Sequence, residues 1–237
     1  MMVVEEAMNI TTATTSVTAE PQLPERHDGS PTGPMVEHAM RYAEERHWDV
    51  FPGAWLDFSR GVPRCSCGAA DCEAPGAHPV HADWAEQATG SVTVVRRLWS
   101  DRPDASVLLP TGRTFDVIEV PETTGFLALA RMERMEVELG PVIGTPDGRM
   151  LFFVLPGGAA KLSDLVRKLG WSPNGLGLTA LGEGGWVAAP PSRMGTRGPV
   201  LWARQPTDAN RWLPDVEEII APLAYACGRD AAAARGD

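Results

Sequence analysis

Leu108 to Gly125 reads LLPTGRTFDVIEVPETTG, and the middle of this stretch sets the architecture around it. Val117, Ile118 and Val120 predict a short buried strand, entered from the Thr111-Gly112 turn and left through Pro121 into a helix. The form is that of a metal-binding strand for two-metal phosphoryl transfer, which needs two acids spaced two residues apart. With a period of two, that spacing puts both carboxylates on one face. Here Glu119 supplies one acid, but its same-face neighbour is Pro121, and Asp116 falls on the opposite face.

Working outward, the pattern alternates helices and strands. Pro34 opens a helix with Val36, Ala39, Met40 and Ala43 on one face, and a strand is expected from Trp48 to Trp55. A loop from Asp57 to Thr89 carries three cysteines. Ser91 is placed to cap a helix whose Val92, Val95, Leu98 and Trp99 share a face, and a strand from Ser106 to Leu109 follows. Beyond Pro121, Leu129, Met132, Met135 and Leu139 recur at helical spacing. Strands near 141–145 and 150–155 are joined by the Pro146-Asp147-Gly148 turn as a hairpin. Leu162, Leu165, Val166 and Leu169 mark another helix, then come strands near 176–181, 186–189 and 200–203. A last helix carries Val216, Ile219, Ile220 and Leu223. Residues 1–33, rich in Thr, Pro, Glu and Ser, are expected to be a disordered leader, 34–227 one α+β domain, and 228–237 a frayed tail.

Composition narrows the function. The formal charge is -10 and 43% of residues are hydrophobic, ordinary for a globular chain and contrary to indiscriminate affinity for polyanions, so any nucleic-acid contact must be local. No apolar run is long enough to span a bilayer and the N-terminus lacks a secretory pattern, so the expected location is cytoplasmic. Arg96, Arg97 and Arg102 read as a solvated helix face. Most of the eight tryptophans should be core, with one or two left for a stacking or partner surface.

Cys65, Cys67, Cys72 and His78 form a C-x-C-x4-C-x5-H pattern in a loop of Gly, Pro and Ala. Three thiolates and an imidazole suit a closed, structural zinc site, and a loop with little apolar content gains order from a metal. Reduced free thiols are the rival reading, and His81 the alternative fourth ligand. Cys227 is expected to be a small core residue.

The segments AEERHWDVFPG, PGAHP, DWAEQAT, LWSDRPDASVLLPTG, FDVIEVP and GEGGWVAAPPSR, in this order between about residues 36 and 204, resemble the bifunctional primase-polymerase domain of the archaeo-eukaryotic primase superfamily. The resemblance implies an RRM-like mixed sheet, an N-terminal α/β module, the zinc-binding loop as an insertion over about 57–89, and template-directed nucleotide polymerisation with magnesium or manganese. It puts the family's acids at Glu119, Pro121 and about Thr179, and a family histidine at Met150 of GRMLFF.

Three departures fall on the chemistry, because one carboxylate does not hold two strongly hydrated divalent ions. The expected function is that of a primase/polymerase-like protein, catalytically degenerate, that binds a nucleotide, single-stranded DNA or a protein partner in an accessory or regulatory role. The alternative is an active nucleotidyltransferase with an atypical magnesium or manganese site. Glu119 is then a relict metal ligand or merely an acid near a helix N-terminus, Asp116 an edge polar residue, and Ser192 and Arg193, with Arg197, candidates for a nucleotide phosphate. No G-x-x-x-x-G-K-[ST] phosphate loop is present, so an ATPase would have to come from elsewhere.

Overall fold

The computed structural model describes residues 34–59 and 61–236, so the expected N-terminal leader lies outside the described residues. The first half of the chain runs α1 (Met35–Arg46), β1 (Phe51–Gly53), β2 (Leu56–Asp57), β3 (Arg64–Cys65), α2 (Trp84–Gln87), α3 (Val92–Ser100) and β4 (Ser106–Pro110). The second half runs β5 (Asp116–Pro121), α4 (Glu122–Arg134), β6 (Val142–Thr145), β7 (Arg149–Val154), α5 (Gly158–Lys168), β8 (Thr179–Leu181) and β9 (Trp186–Ala188). It ends with β10 (Arg193–Met194), β11 (Gly198–Pro199), β12 (Leu201–Arg204) and α6 (Val216–Gly236).

The strand read from Val117, Ile118 and Val120 becomes β5, which lies inside a five-stranded sheet of order β12-β6-β7-β5-β8. Its core succession is β5-α4-β6-β7-α5-β8, the split β-α-β arrangement, with β5 and β7 side by side in the middle. Every pairing in the sheet is antiparallel, which corrects the expected mixed sheet. The overall class is α+β. Ile118, Val120, Met150, Phe152 and Val154 project to one face, where α4, α5 and α6 cover them. Val117, Ile143, Leu151 and Phe153 project to the other and join the core of a smaller sheet, β1-β4-β9. Trp48 ties the two sheets together: its ring stacks on Phe153 at 5.3 Å and meets Phe115 at 5.4 Å.

Turn chemistry fixes where β5 emerges. Gly112 has φ of 85°, and a side chain there would bring Cβ within 2.3 Å of the Glu183 backbone. The 111–115 turn therefore nests against the turn between β8 and β9, and the Thr111 hydroxyl donates to the Gly182 carbonyl across 2.6 Å. The 146–148 turn closes the β6-β7 hairpin as expected, with Gly148 N–H bonded to the Thr145 carbonyl at 3.0 Å.

Some elements depart from the periodicity. The expected 48–55 strand shrinks to Phe51–Gly53, because Pro52 donates nothing and the strand is tolerated only at the sheet edge. The 57–89 loop contains the two-residue strands β2 and β3 and the short α2. Ser91 precedes α3, but its side chain makes no capping bond; its carbonyl accepts from Val95 N–H at 2.9 Å. Past Cys227, which is buried as expected, α6 runs on through alanines, the strongest helix formers, to Gly236. Of the tryptophans, Trp48 and Trp99 are core, while Trp212 is 87% exposed. Arg96 and Arg97 lie on the solvent side of α3.

Candidate functional site

Glu119, Pro121 and Thr179 converge on one patch at the end of the β5 sheet, on the face shared with the small sheet. Registers of Glu119 with Leu151 and Thr179, and of Pro121 with Arg149, set the patch. Glu119 is not a bare acid. Arg149 Nε donates to its Oε1 across 2.6 Å, and the Thr179 hydroxyl donates to Oε2 across 3.2 Å, so each carboxylate oxygen has a partner. Arg149 Nη2 also donates to the Gly177 carbonyl at 2.9 Å, which fixes the guanidinium at both ends. The side chains of Glu119 and Arg149 are 25% and 24% exposed, so the pair lies partly in solvent. The patch therefore carries one negative and one positive formal charge, where two or three carboxylates would be needed to hold a pair of divalent ions.

Met150, where the resemblance implies a histidine, is fully buried on the opposite face of the sheet. A side chain on Gly125 would meet Met150 Sδ at 2.7 Å, so this methionine is the surface on which α4 sits. The polar residue that β7 presents beside Glu119 is its neighbour Arg149. Sequence reasoning did not single out Arg149, because its meeting with Glu119 depends on the register that pairs Arg149 with Pro121.

Asp116 is not an edge residue. It is buried in the sheet interior, and its Oδ2 accepts from Ala159 N–H at 2.9 Å in the first turn of α5, where a carboxylate also meets the positive end of the helix.

Ser192 corrects another expectation. It is fully buried, accepts from Val107 N–H at 2.9 Å and donates to the Val107 carbonyl at 3.1 Å, beside the bond from Ala189 N–H to the same carbonyl, so it prolongs the pairing on the β9 side of β4. Its hydroxyl is spent inside the fold and does not face a phosphate. Arg193, by contrast, is exposed on β10. The β10-β11 hairpin rests on the cysteine loop through Gly195 N–H to the Pro75 carbonyl at 2.6 Å, and Arg197 lines a cavity of about 360 Å³ with Glu73, Pro75 and Asp147.

The cysteine loop gathers its candidate ligands. Ligand atoms of Cys65, Cys67, Cys72 and His78 all lie within 4.8 Å of one another, and His78 Nε2 is 3.3 Å from both Cys65 Sγ and Cys72 Sγ. A tetrahedral zinc ion, with bonds of about 2.3 Å to sulfur and about 2.0 Å to nitrogen, separates its ligand atoms by roughly 3.5–3.8 Å, so the donor set fits. The support is in place too: His78 Nδ1 lies 2.7 Å from the Pro79 carbonyl, which turns Nε2 toward the thiols, and Gly76 N–H donates to Cys65 Sγ at 3.4 Å. The Ala69 backbone N–H brings the Cys67 thiol down to about 7, whereas burial, then the neighbouring thiols, push Cys72 up to about 11. His78, and not His81, belongs to the cluster among the described residues. The loop is anchored by Ala54 N–H to the His78 carbonyl at 2.8 Å, and by Ser106, whose hydroxyl donates to the Gly76 carbonyl.

Comparison with known proteins matches residues 39–212, more than half of the chain, to the family model described as bifunctional DNA primase/polymerase, N-terminal. The chain belongs to this primase/polymerase family. No curated protein and no solved structure matches it. The match spans both sheets, the cysteine loop and the Glu119 patch, and leaves out the first turn of α1 and the whole of α6. In this primase/polymerase-family chain the patch formed by Glu119, Pro121, Arg149 and Thr179 contains one carboxylate. No described helix is long and apolar enough to cross a membrane.

Proposed function

We propose that this chain is a primase/polymerase-family protein that binds a nucleotide or single-stranded DNA without polymerising it, and serves as an accessory or regulatory factor. One observation supports this reading: Glu119, Pro121 and Thr179, the positions that the sequence resemblance assigns to the family's acids, meet in space, and the single carboxylate is already paired with Arg149. Polymerisation needs two metal ions to activate the primer hydroxyl and to neutralise the leaving diphosphate. A proline and a threonine contribute no negative charge to that task. Retention of the scaffold supports binding without turnover, since the split β-α-β sheet, read here as the RRM-like sheet of the family, and its helical backing remain intact.

The Cys65, Cys67, Cys72 and His78 cluster is assigned a structural zinc ion. Four protein ligands leave no open position for substrate, and the zinc would supply only a cross-link that holds the loop against β1 and β4.

Primer extension and de novo primer synthesis with magnesium or manganese test the proposal. The expected result is no template-dependent incorporation above a protein-free control. Incorporation that disappears in Glu119→Ala would instead establish an active nucleotidyltransferase with an atypical metal site.

A further inference from the structure

Building on the reading of a non-polymerising site, we propose that Arg149 is the resident cation of the Glu119 patch. A nucleotide triphosphate binds there through the guanidinium directly, with no divalent ion. The geometry is specific. Two of the five N–H donors of Arg149 are used, one on Glu119 Oε1 at 2.6 Å and one on the Gly177 carbonyl at 2.9 Å, and these anchors hold the plane still. Three donors remain on a side chain that is 24% exposed. A fixed guanidinium fork matches two phosphate oxygens at once, and because it is already immobilised, little rotamer entropy is lost when an anion docks.

The same contacts work against a metal. Both oxygens of Glu119 already accept hydrogen bonds, from Arg149 and Thr179, so a divalent ion would have to displace a guanidinium and then sit beside its positive charge. An incoming triphosphate meets the opposite balance, since it is attracted by Arg149 and repelled by Glu119. Glu119 thus positions Arg149 while opposing the ligand. The ordinary role of a metal-binding acid would be reversed.

The test is fluorescence polarisation with a dye-labelled deoxynucleoside triphosphate on the full chain, in buffer freed of magnesium and manganese but without a chelator that would strip the cysteine loop. Binding should be present there and change by no more than about threefold on adding either ion. Arg149→Met should weaken it by about tenfold or more, the loss expected for one charge-assisted contact, and Arg149→Lys by less. Glu119→Gln, which removes a repelling charge, should bind as tightly as the parent or tighter; a metal-dependent site would lose affinity. Melting curves show that each variant is folded, and the lysine and glutamine variants decide the matter if the methionine variant is not. The inference is overturned by strict dependence on a divalent ion, by parent-like binding in folded Arg149→Met, by weakened binding in Glu119→Gln, or by no nucleotide binding. Failure of the underlying reading shows separately, as incorporation in the primer-extension assay.

Discussion

Removing metal from the cysteine loop should destabilise the whole domain, and the structure sets the scale. Cys65 and His78 are 13 residues apart, and the ion would close that span as a covalent bridge does. Closing a loop of this length removes about 3 kcal/mol of unfolded-state entropy on the usual chain-statistics account. Little else orders the segment: β2 and β3 contribute two residues each, and Ala77 is its buried apolar residue, while Gly76 and His78 attach it to β4 and β1. Loss of the cross-link therefore releases contacts under the small sheet as well as the loop. For a domain of this size, about 3 kcal/mol corresponds to a fall in melting temperature of roughly 6–12 °C. Differential scanning fluorimetry with and without a strong zinc chelator, on protein whose metal content has been measured by mass spectrometry, reads the shift. Cys67→Ser should reproduce most of it, and hydrogen exchange should quicken first at Ala54 and Gly76. Protein purified with no transition metal, melting identically with chelator and in Cys67→Ser, would refute the cross-link.

Other outcomes follow from single contacts. Ser192→Ala leaves the buried Val107 N–H without its acceptor and should cost about 1–3 kcal/mol in urea denaturation, with nucleotide affinity unchanged. Asp116→Ala removes the acceptor for Ala159 N–H and should cost about 1–2 kcal/mol, with faster amide exchange confined to the start of α5. The Glu217 backbone N–H and then Lys161 hold Asp215 below the usual carboxylate range, so its contribution is complete above that range and is lost as pH falls through the depressed value. The small melting difference between the parent and Asp215→Asn should be present near neutral pH and vanish in acid.

The parts of the fold that announce themselves in sequence are those governed by local rules. Val117, Ile118 and Val120 mark β5 because a buried strand needs an apolar run, and Pro146-Asp147-Gly148 marks the hairpin because the turn needs a residue at positive φ. The cysteine cluster is legible from spacing alone, since metal ligands must be close in chain or fold. The Glu119 site was half legible. The resemblance assigns acid positions to Pro121 and Thr179, but it does not point to the partner of Glu119, because Arg149 reaches it only in the register that pairs Arg149 with Pro121. Ser192 and Asp116 were misjudged for a related reason. A polar residue near a turn or strand end is exposed by default, and only the tertiary contacts with Val107 and Ala159 draw these two inside. The two-residue strands β2, β3, β10 and β11 leave no periodicity to detect.

The central claim is that the Glu119 patch lacks the charge to hold paired divalent ions beside a triphosphate. Electron paramagnetic resonance titration of manganese against the zinc-loaded chain with a deoxynucleoside triphosphate tests it most directly. The account predicts no manganese on the chain beyond the ion that the nucleotide itself carries, with no loss in Glu119→Gln. Two manganese ions bound per chain, both lost in that variant, would contradict it.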